Sequence, residues 1–569
     1  MKRFGRFSIK KTAILICSMV LIALITGGTV LLAAVIDSKR TVTVKTSSVI
    51  TNDFEGTGVN SIPVTQMSNN LDKGNNEAYF ELEKSRIIKL KPAITRVWTQ
   101  VDWFVTEKDF VSNGGTGADY FAGIYDFNSE RMQALYKYLD IYKQIESKVI
   151  LVTNWKVGSE IQKWFSIDGI NTPQTSAPGD IDAYARAYTA LLDYLINTKG
   201  YSNITYVSVA NEPELDDFES HGDEYCYYQD TSKALADEIK RANINVSLQG
   251  LDSGAAYFTS NDFLFRSFKD NPDYFTDYAL HCYQILSKAK PYLNTVKNNL
   301  PGGKTIWLTE FNGGADFEKS LSGFAGIAAN LGYKSTLYWM LNDVYAEDPL
   351  SLSDNELGGG TGLWCKPQQD AKVKESFYEF GLWLRYVKPH SKVLTSIVSN
   401  EDDMRSTVFN SGDDYTVIVE TNTKNATSLN IKFDKAINKT FYKHVYSVGD
   451  NTEANGIIPL SIANFHVEDN LKDTVVVNKK RTVIVYTTLT DINQVSMGEV
   501  INEVSSGATL KLTANSSNSA AITWSVAAGN GTVDQDGTYT ASGTHSGDTV
   551  AVKAAVDSDT YAIAIIKIK

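Results

Sequence analysis

Residues Ile204–Leu215 read ITYVSVANEPEL. The run Ile204–Ala210 is apolar and rich in β-branched side chains, and it stops abruptly at Asn211-Glu212-Pro213. A strand that ends in an amide and a carboxylate, with a proline barring further pairing, presents polar groups at the C-terminal edge of a sheet. Lys304–Asn312, KTIWLTEFN, has the same grammar and ends in Glu310. Two further strand–helix units fit between the two glutamates.

Outward from these stretches the pattern repeats. Strand-like runs occur at Gly58–Pro63, Ala93–Thr99, Lys148–Trp155, Ile204–Ala210, Asn245–Leu251, Tyr278–Tyr283, Thr305–Glu310 and Thr336–Leu341. Helical runs lie between them. Ser129–Ser147 opens on a serine cap, and Asp180–Thr198 sets Tyr184, Tyr188, Leu191, Leu192 and Leu195 on one stripe. Thr231–Ala242, Phe317–Leu331 and Val373–Tyr386 have the same character. Eight strands alternating with helices over residues 50–390 predict an α/β fold, a (β/α)8 TIM barrel. An open doubly wound sheet is the alternative. No Gly-rich phosphate turn follows the first strand, and Gly56-x-Gly58 alone is a weak signal, so its nucleotide-binding form lacks support.

After Pro389 helical periodicity vanishes. Short β-rich runs separated by turn residues predict a β-sandwich over 391–488, with Arg40–Val49 a candidate extra strand. A linker follows, and 494–569 reads as a further all-β module. Its segment Asp534-Gln535-Asp536-Gly537-Thr538-Tyr539-Thr540-Ala541 resembles bacterial immunoglobulin-like domains.

At the other end, Lys2, Arg3, Arg6, Lys10 and Lys11 precede Thr12–Ile36, which carries no charge. That run of roughly 25 residues is long enough to span a bilayer core of ~30 Å. The positive flank predicts a cytoplasmic tail and an exported body. Leu32-Ala33-Ala34 is a poor cleavage site and Ile16 before Cys17 makes no lipobox. Residues 1–37 are therefore expected to form an uncleaved anchor at the outer membrane face, a cleaved signal being the alternative.

Composition narrows the function. The chain has 569 residues, 43% hydrophobic and 21% charged, as in globular proteins of several domains. A net charge of −12 without a long basic run in the body argues against nucleic acid as a partner. Thirty tyrosines and nine tryptophans suit stacking on sugar rings, although aromatic residues also fill cores. Cys226, Cys282 and Cys365 are far apart, so neither a disulfide framework nor a zinc site is implied.

Functional groups of such barrels collect at the C-terminal strand ends. Those ends carry Arg96, Asn154-Trp155, Asn211-Glu212, His281 and Tyr283, Glu310, and Trp339. Two carboxylates with amides, an arginine and aromatics suit glycoside hydrolysis, in which one carboxylic acid protonates the leaving oxygen. The second carboxylate acts from the opposite face of the ring. The loop Asn342–Lys366 is long, and its Asp343, Asp348, Asp354 and Trp364 are candidates for substrate contact or for a solvated lid.

Asn211-Glu212-Pro213 after the fourth barrel strand and Thr309-Glu310-Phe311 after the seventh resemble clan A glycoside hydrolases, and the barrel followed by a sandwich, joined at Phe380-Gly381-Leu382-Trp383…Lys388-Pro389, is most similar to families 39 and 30. The resemblance implies Glu212 as general acid/base and Glu310 as nucleophile of a retaining reaction. It further implies Asn211 on the substrate 2-hydroxyl, Arg96 and Tyr283 on Glu310, His281 along the cleft, and Trp339 under the −1 subsite. No cofactor or metal is expected, and the partner is an extracellular polysaccharide or oligosaccharide. A catalytically silent carbohydrate-binding surface protein and an adhesin are the competing readings.

Overall fold

The computed structural model describes residues 38–63, 76–105, 125–153, 181–214, 223–254, 262–343, 361–365, 371–423, 427–449, 456–475 and 480–569. The apolar run Thr12–Ile36 lies outside them. Among the described residues no helix is long and apolar enough to cross a membrane.

Eight parallel strands close into a barrel. They are β2 (Gly56–Ser61), β3 (Ile94–Thr99), β4 (Lys148–Thr153), β5 (Ile204–Ser208), β6 (Ser247–Ser253), β7 (Asp277–His281), β8 (Thr305–Phe311) and β9 (Ser335–Tyr338). β9 pairs with β2 to complete the ring. The period of two sorts the side chains. Ile94, Ile150, Tyr206, Trp307 and Leu337 cluster inside the barrel. Val59, Val97, Leu151, Val207 and Leu308 belong to the larger core under the helices. Gly58 is required by close approach, since a Cβ there would lie 2.3 Å from the Ile94 carbonyl oxygen. Glu55 closes the N-terminal end of the barrel, held by Lys148 at 2.9 Å and Lys334 at 2.8 Å.

A helix follows each barrel strand: α1 (Asn76–Leu90), α2 (Glu130–Gln144), α3 (Ile181–Asp193), α4 (Glu224–Arg241), α5 (Asp262–Asp270), α6 (Leu286–Asn299), α7 (Leu321–Asn330) and α8 (Glu375–Tyr386). Ser129 caps α2 by accepting from the Met132 amide at 3.2 Å. The α3 stripe of Tyr184, Tyr188, Leu191, Leu192 and Leu195 is buried. α4 begins at Glu224, well before the predicted Thr231. Asp223 supplies its cap, and the added turns bury Tyr225 and Tyr228.

Around this barrel lies a nine-stranded sheet in which β1 (Ser38–Phe54) runs parallel to β13 (Thr427–Phe433) and antiparallel to β10 (Ser391–Val398). Its edge strands, β15 (Ser461–Val467) and β16 (Asn470–Val475), are joined by two residues. The sheet therefore bends over one core that includes Val42, Leu394, Val408, Ile431, Phe441 and Ile484. Its other face packs on the barrel through Val393, Phe409, Ile418 and Val485. A buried ionic cluster locks this junction. The Arg481 fork donates to both Glu379 oxygens, at 2.8 and 2.6 Å, and to Glu420 at 3.2 Å. It also donates to the carbonyls of Gly314 and Ala315, in the loop that follows β8.

Residues 495–569 form three small sheets about Trp524, Tyr539, Val552 and Ile566. At the turn Asp534–Gly537 the glycine has φ +85°, and a Cβ there would fall 2.8 Å from the Trp524 ring. This module does not stand away from the barrel. Ala551, Ala555, Tyr561, Ile563 and Ile565 join the main core beside α1, and Lys89 of α1 donates to the carbonyls of Gly456 and Val495. The three cysteines Cys226, Cys282 and Cys365 are free thiols.

Glu379→Ala would leave Arg481 buried without its main partner. The expected cost is about 3–5 kcal/mol, read as a lowered Tm, and replacement of both partners by Leu and Met costs less than the single change.

Candidate active site

Arg96 points inward from the middle of β3 and has no solvent exposure. Its Nε donates to Asp252 at 2.9 Å, its Nη1 to Asn60 at 2.8 Å and to Glu310 at 2.6 Å, and its Nη2 to Asn211 at 2.7 Å. Those partners come from β6, β2, β8 and the turn after β5. The ring of Trp98, two residues along the same strand, lies 4.9 Å from the guanidinium.

β5 ends at Ser208, and Asn211-Glu212-Pro213 forms the turn beyond it. Glu212 has φ +46°, a left-handed conformation that its backbone holds through an N–H donated to the Asp252 carbonyl at 2.9 Å. Its carboxylate meets His281 Nδ1 at 2.6 Å. Gly254 makes room for it, because a Cβ there would lie 2.5 Å from Glu212 Cδ.

Glu310 is buried on β8. Tyr283 donates its hydroxyl to Glu310 Oε2 at 2.6 Å, and His281 Nδ1 lies 3.4 Å from the same oxygen. Carboxylate oxygens of Glu212 and Glu310 and a ring nitrogen of His281 all lie within 4.8 Å of one another. The trio offers ligand atoms enough for a metal ion. In this structure the three bond within the protein, His281 to Glu212 at 2.6 Å with the Arg96 cation on Glu310.

Burial alone would push the His281 imidazole down, but the Glu310, Asp252 and Glu212 carboxylates outweigh it and lift it to about 10. Both ring nitrogens face carboxylate oxygens, as an imidazolium requires. Burial would push Asp252 up, yet Arg96 and His281 hold it well below the usual carboxylate range. Burial lifts the Glu310 carboxyl, and the Glu212 charge adds to this. His281, Arg96 and the Tyr283 hydroxyl oppose the rise without cancelling it.

Of the residues picked from the sequence, the structure brings Arg96, Asn211, Glu212, His281, Tyr283 and Glu310 into one hydrogen-bonded group. Trp339 lies at the same end of the barrel, edge-on to Trp98 at 5.4 Å between ring centroids. Asn154 and Trp155 fall outside the described residues. Arg96 is fully buried and sits on Glu310, as expected, whereas His281, expected along the cleft, is fully buried and holds the carboxylates instead. Asp343 is also corrected. Lys374 donates to both its oxygens and the Gly362 amide to one of them, so it pins the two ends of the long loop together. Trp364 is buried beside it.

Two members of the group were missed. Asn60 takes a donor from Arg96 and gives its own amide to the Thr309 carbonyl at 2.9 Å. Asp252 accepts from Arg96, from Thr309 at 2.6 Å and from His281 at 3.2 Å. The apolar pattern of the fifth barrel strand runs out at Leu251, one residue short of it.

No protein-family model matches the sequence, and no curated protein matches it. Solved structures do match. The family 30, subfamily 8 xylanase of Clostridium acetobutylicum superposes with a TM-score of 0.55 at 12% identity, over 79% of this chain and 99% of the xylanase. A family 39 β-xylosidase from Caulobacter crescentus gives 0.51 at 14%, over 79% and 99% of the two chains. An endo-β1,6-glucanase gives 0.53 at 15%, over 79% and 94%. At these identities the likeness speaks to architecture, and the chain has the eight-stranded parallel barrel fold of glycoside hydrolases of families 30 and 39.

Proposed function

We propose that this protein is a retaining β-glycoside hydrolase acting on an extracellular polysaccharide, with Glu212 as acid/base and Glu310 as nucleophile. The observation that carries the reading is the approach of the two carboxylates to within 4.8 Å at one end of the barrel. Double displacement needs carboxyl groups about 5–5.5 Å apart, and an inverting enzyme leaves a wider gap for water. The matched structures are a xylanase, a β-xylosidase and an endo-glucanase, which supports glycosidic bonds as the substrate class.

In the first step a Glu310 oxygen attacks the anomeric carbon. The bond to the leaving oxygen breaks, and Glu212 gives that oxygen its proton. In the second step Glu212 takes a proton from water, the water oxygen attacks the anomeric carbon, and the bond to Glu310 breaks. Arg96 and Tyr283 both donate to Glu310, so they orient it and favour its charged form. Asn211 spends its carbonyl oxygen on Arg96, which leaves its amide to donate to the sugar 2-hydroxyl. Trp339 and Trp98 supply an aromatic corner for the sugar ring. Beside Tyr283 a cavity of about 500 Å³, lined by Asn312, Lys374, Glu375 and Arg481, runs toward the junction with the outer sheet. The basic tail and apolar run before Asp37 would tether the enzyme at the outer membrane face, and membrane fractionation of full-length protein tests that placement.

Aryl β-glycosides give the first test. Glu310→Gln abolishes turnover, with no glycosyl–enzyme trapped by an activated fluoroglycoside; a wild type equally inactive on a broad substrate panel leaves only a binding protein. Glu212→Ala lowers kcat about 10²–10⁴-fold on natural glycosides and far less on substrates with activated leaving groups. Equal losses on both remove Glu212 from the acid role.

The nucleophile must be ionised and its carboxyl is raised, so activity falls as pH drops through a value above the ordinary 4.5 of a glutamate. Replacing Arg96 by Met removes a cation and moves that acid limb to still higher pH in the kcat/KM profile.

A further inference from the structure

The segment Gly250–Gly254, GLDSG, departs from the alternation of the strand that carries it. Alternation along β6 would turn Leu251 inward with Gln249. Instead the pairing with β7 slips, Gly250 opposite Tyr278 and then Ser253 opposite Leu280. Leu251 and Asp252 form a bulge there with φ +58° and +32°. Two successive non-glycine residues at positive φ are strained and persist only where their surroundings hold them. Leu251 donates its N–H to the Tyr228 hydroxyl at 2.8 Å. Asp252 is held by Arg96 of β3, Thr309 of β8 and His281 of β7. The glycines flanking the bulge are required by contact. A Cβ on Gly250 would lie 2.8 Å from the Phe275 ring, and one on Gly254 would strike the Glu212 carboxyl.

We propose that Asp252 is the positioning residue of the glutamate pair. Its main-chain carbonyl holds the backbone of Glu212, and its carboxylate holds the side chains of Glu310 and Glu212 through Arg96 and His281. A single residue thereby reaches the acid by two routes and the nucleophile by a third. Thr309 also ties it to the strand that carries Glu310. The chemical consequence rests on the glycosidase reading above; the geometric claim does not. Asp252 touches no reacting atom. It acts by keeping a cation against each glutamate at a fixed place, and a misplacement of about 1 Å at such a site is enough to cost roughly 10²-fold in rate.

The test uses the whole chain and Asp252→Asn, which keeps the shape and removes the charge. The ionisable and charged groups facing Asp252 are Arg96, His281 and the Tyr228 hydroxyl, with the two glutamates beyond them. Histidine-labelled protein has six imidazoles, and His281 is assigned by its loss in His281→Asn. In the wild type its ring stays protonated through neutral pH; in Asp252→Asn its titration falls by at least about one pH unit. On aryl glycosides kcat falls about 10²-fold while KM stays within about threefold. Asp252→Glu, with its charge one methylene too far, fails to restore kcat. An unchanged His281 titration, or a wild-type kcat in Asp252→Asn, overturns the proposal, as does full activity in Asp252→Glu. Should Asp252→Asn fail to fold, Thr309→Val removes one donor and is expected to shift both readouts in the same direction by less; no shift is again fatal. If the wild type hydrolyses no glycoside, the titration still decides the positional claim.

Discussion

A guanidinium with no solvent exposure stands at the centre of this protein, and the rest of the site is arranged to tolerate it. Burying an arginine is unfavourable unless its charge and its N–H groups all find partners. Arg96 finds them on Asp252, Asn60, Glu310 and Asn211, contributed from four places around the ring of strands. Its planar fork donates in several fixed directions at once, which a lysine cannot do. The partners are thereby registered against one another: the strand that carries Glu310, the turn that carries Glu212 and the bulge that carries Asp252 share one reference point. A barrel lets distant segments converge in this way because every strand end faces the same rim.

The charges at that rim explain how such a site suits acid–base chemistry. Two cations, Arg96 and His281, face three carboxyl groups, Glu212, Asp252 and Glu310. The cluster is neutral when one carboxyl carries a proton, which is the resting state that the proposed reaction would require. Asp252 is the least able to hold it, because Arg96, His281 and the Thr309 hydroxyl together outweigh its burial, whereas on Glu310 burial and the Glu212 charge win. Glu212 is the most exposed of the three and so the best placed to exchange a proton with substrate and water. Environment, and not residue type, is what would give chemically equivalent carboxyls different roles under the proposed reaction.

The outer units contribute to the site indirectly. The nine-stranded sheet is fastened to the barrel by Arg481, whose fork also holds the carbonyls of Gly314 and Ala315 immediately beyond β8. The sheet thus braces the strand that carries Glu310. The C-terminal module buries Tyr561 and its neighbours beside α1, on a helix remote from the rim. A rigid seat of that kind fixes the module's orientation without adding groups to the carboxylate cluster.

Much of this was legible in residue order. The alternation of apolar strands with amphipathic helices specified the barrel, because the two periods differ and each needs its own burial. Asn211-Glu212-Pro213 and Glu310 were visible because polar residues closing an apolar strand must sit at a sheet edge. What residue order could not reveal was orientation. Asp252 escaped because a bulge reverses the facing that alternation assigns, and a bulge is set by pairing with β7 and by the Tyr228 hydroxyl. Asp343 reads as a free loop acid until Lys374 and Gly362, distant in sequence, are brought against it. His281 reads as a group lining a cleft, yet closure of the barrel places it, like Arg96, behind the glutamates. Local composition thus determined which residues reach the rim. Convergence of segments far apart along the chain decided which of them face solvent, which face one another and which carry the charge.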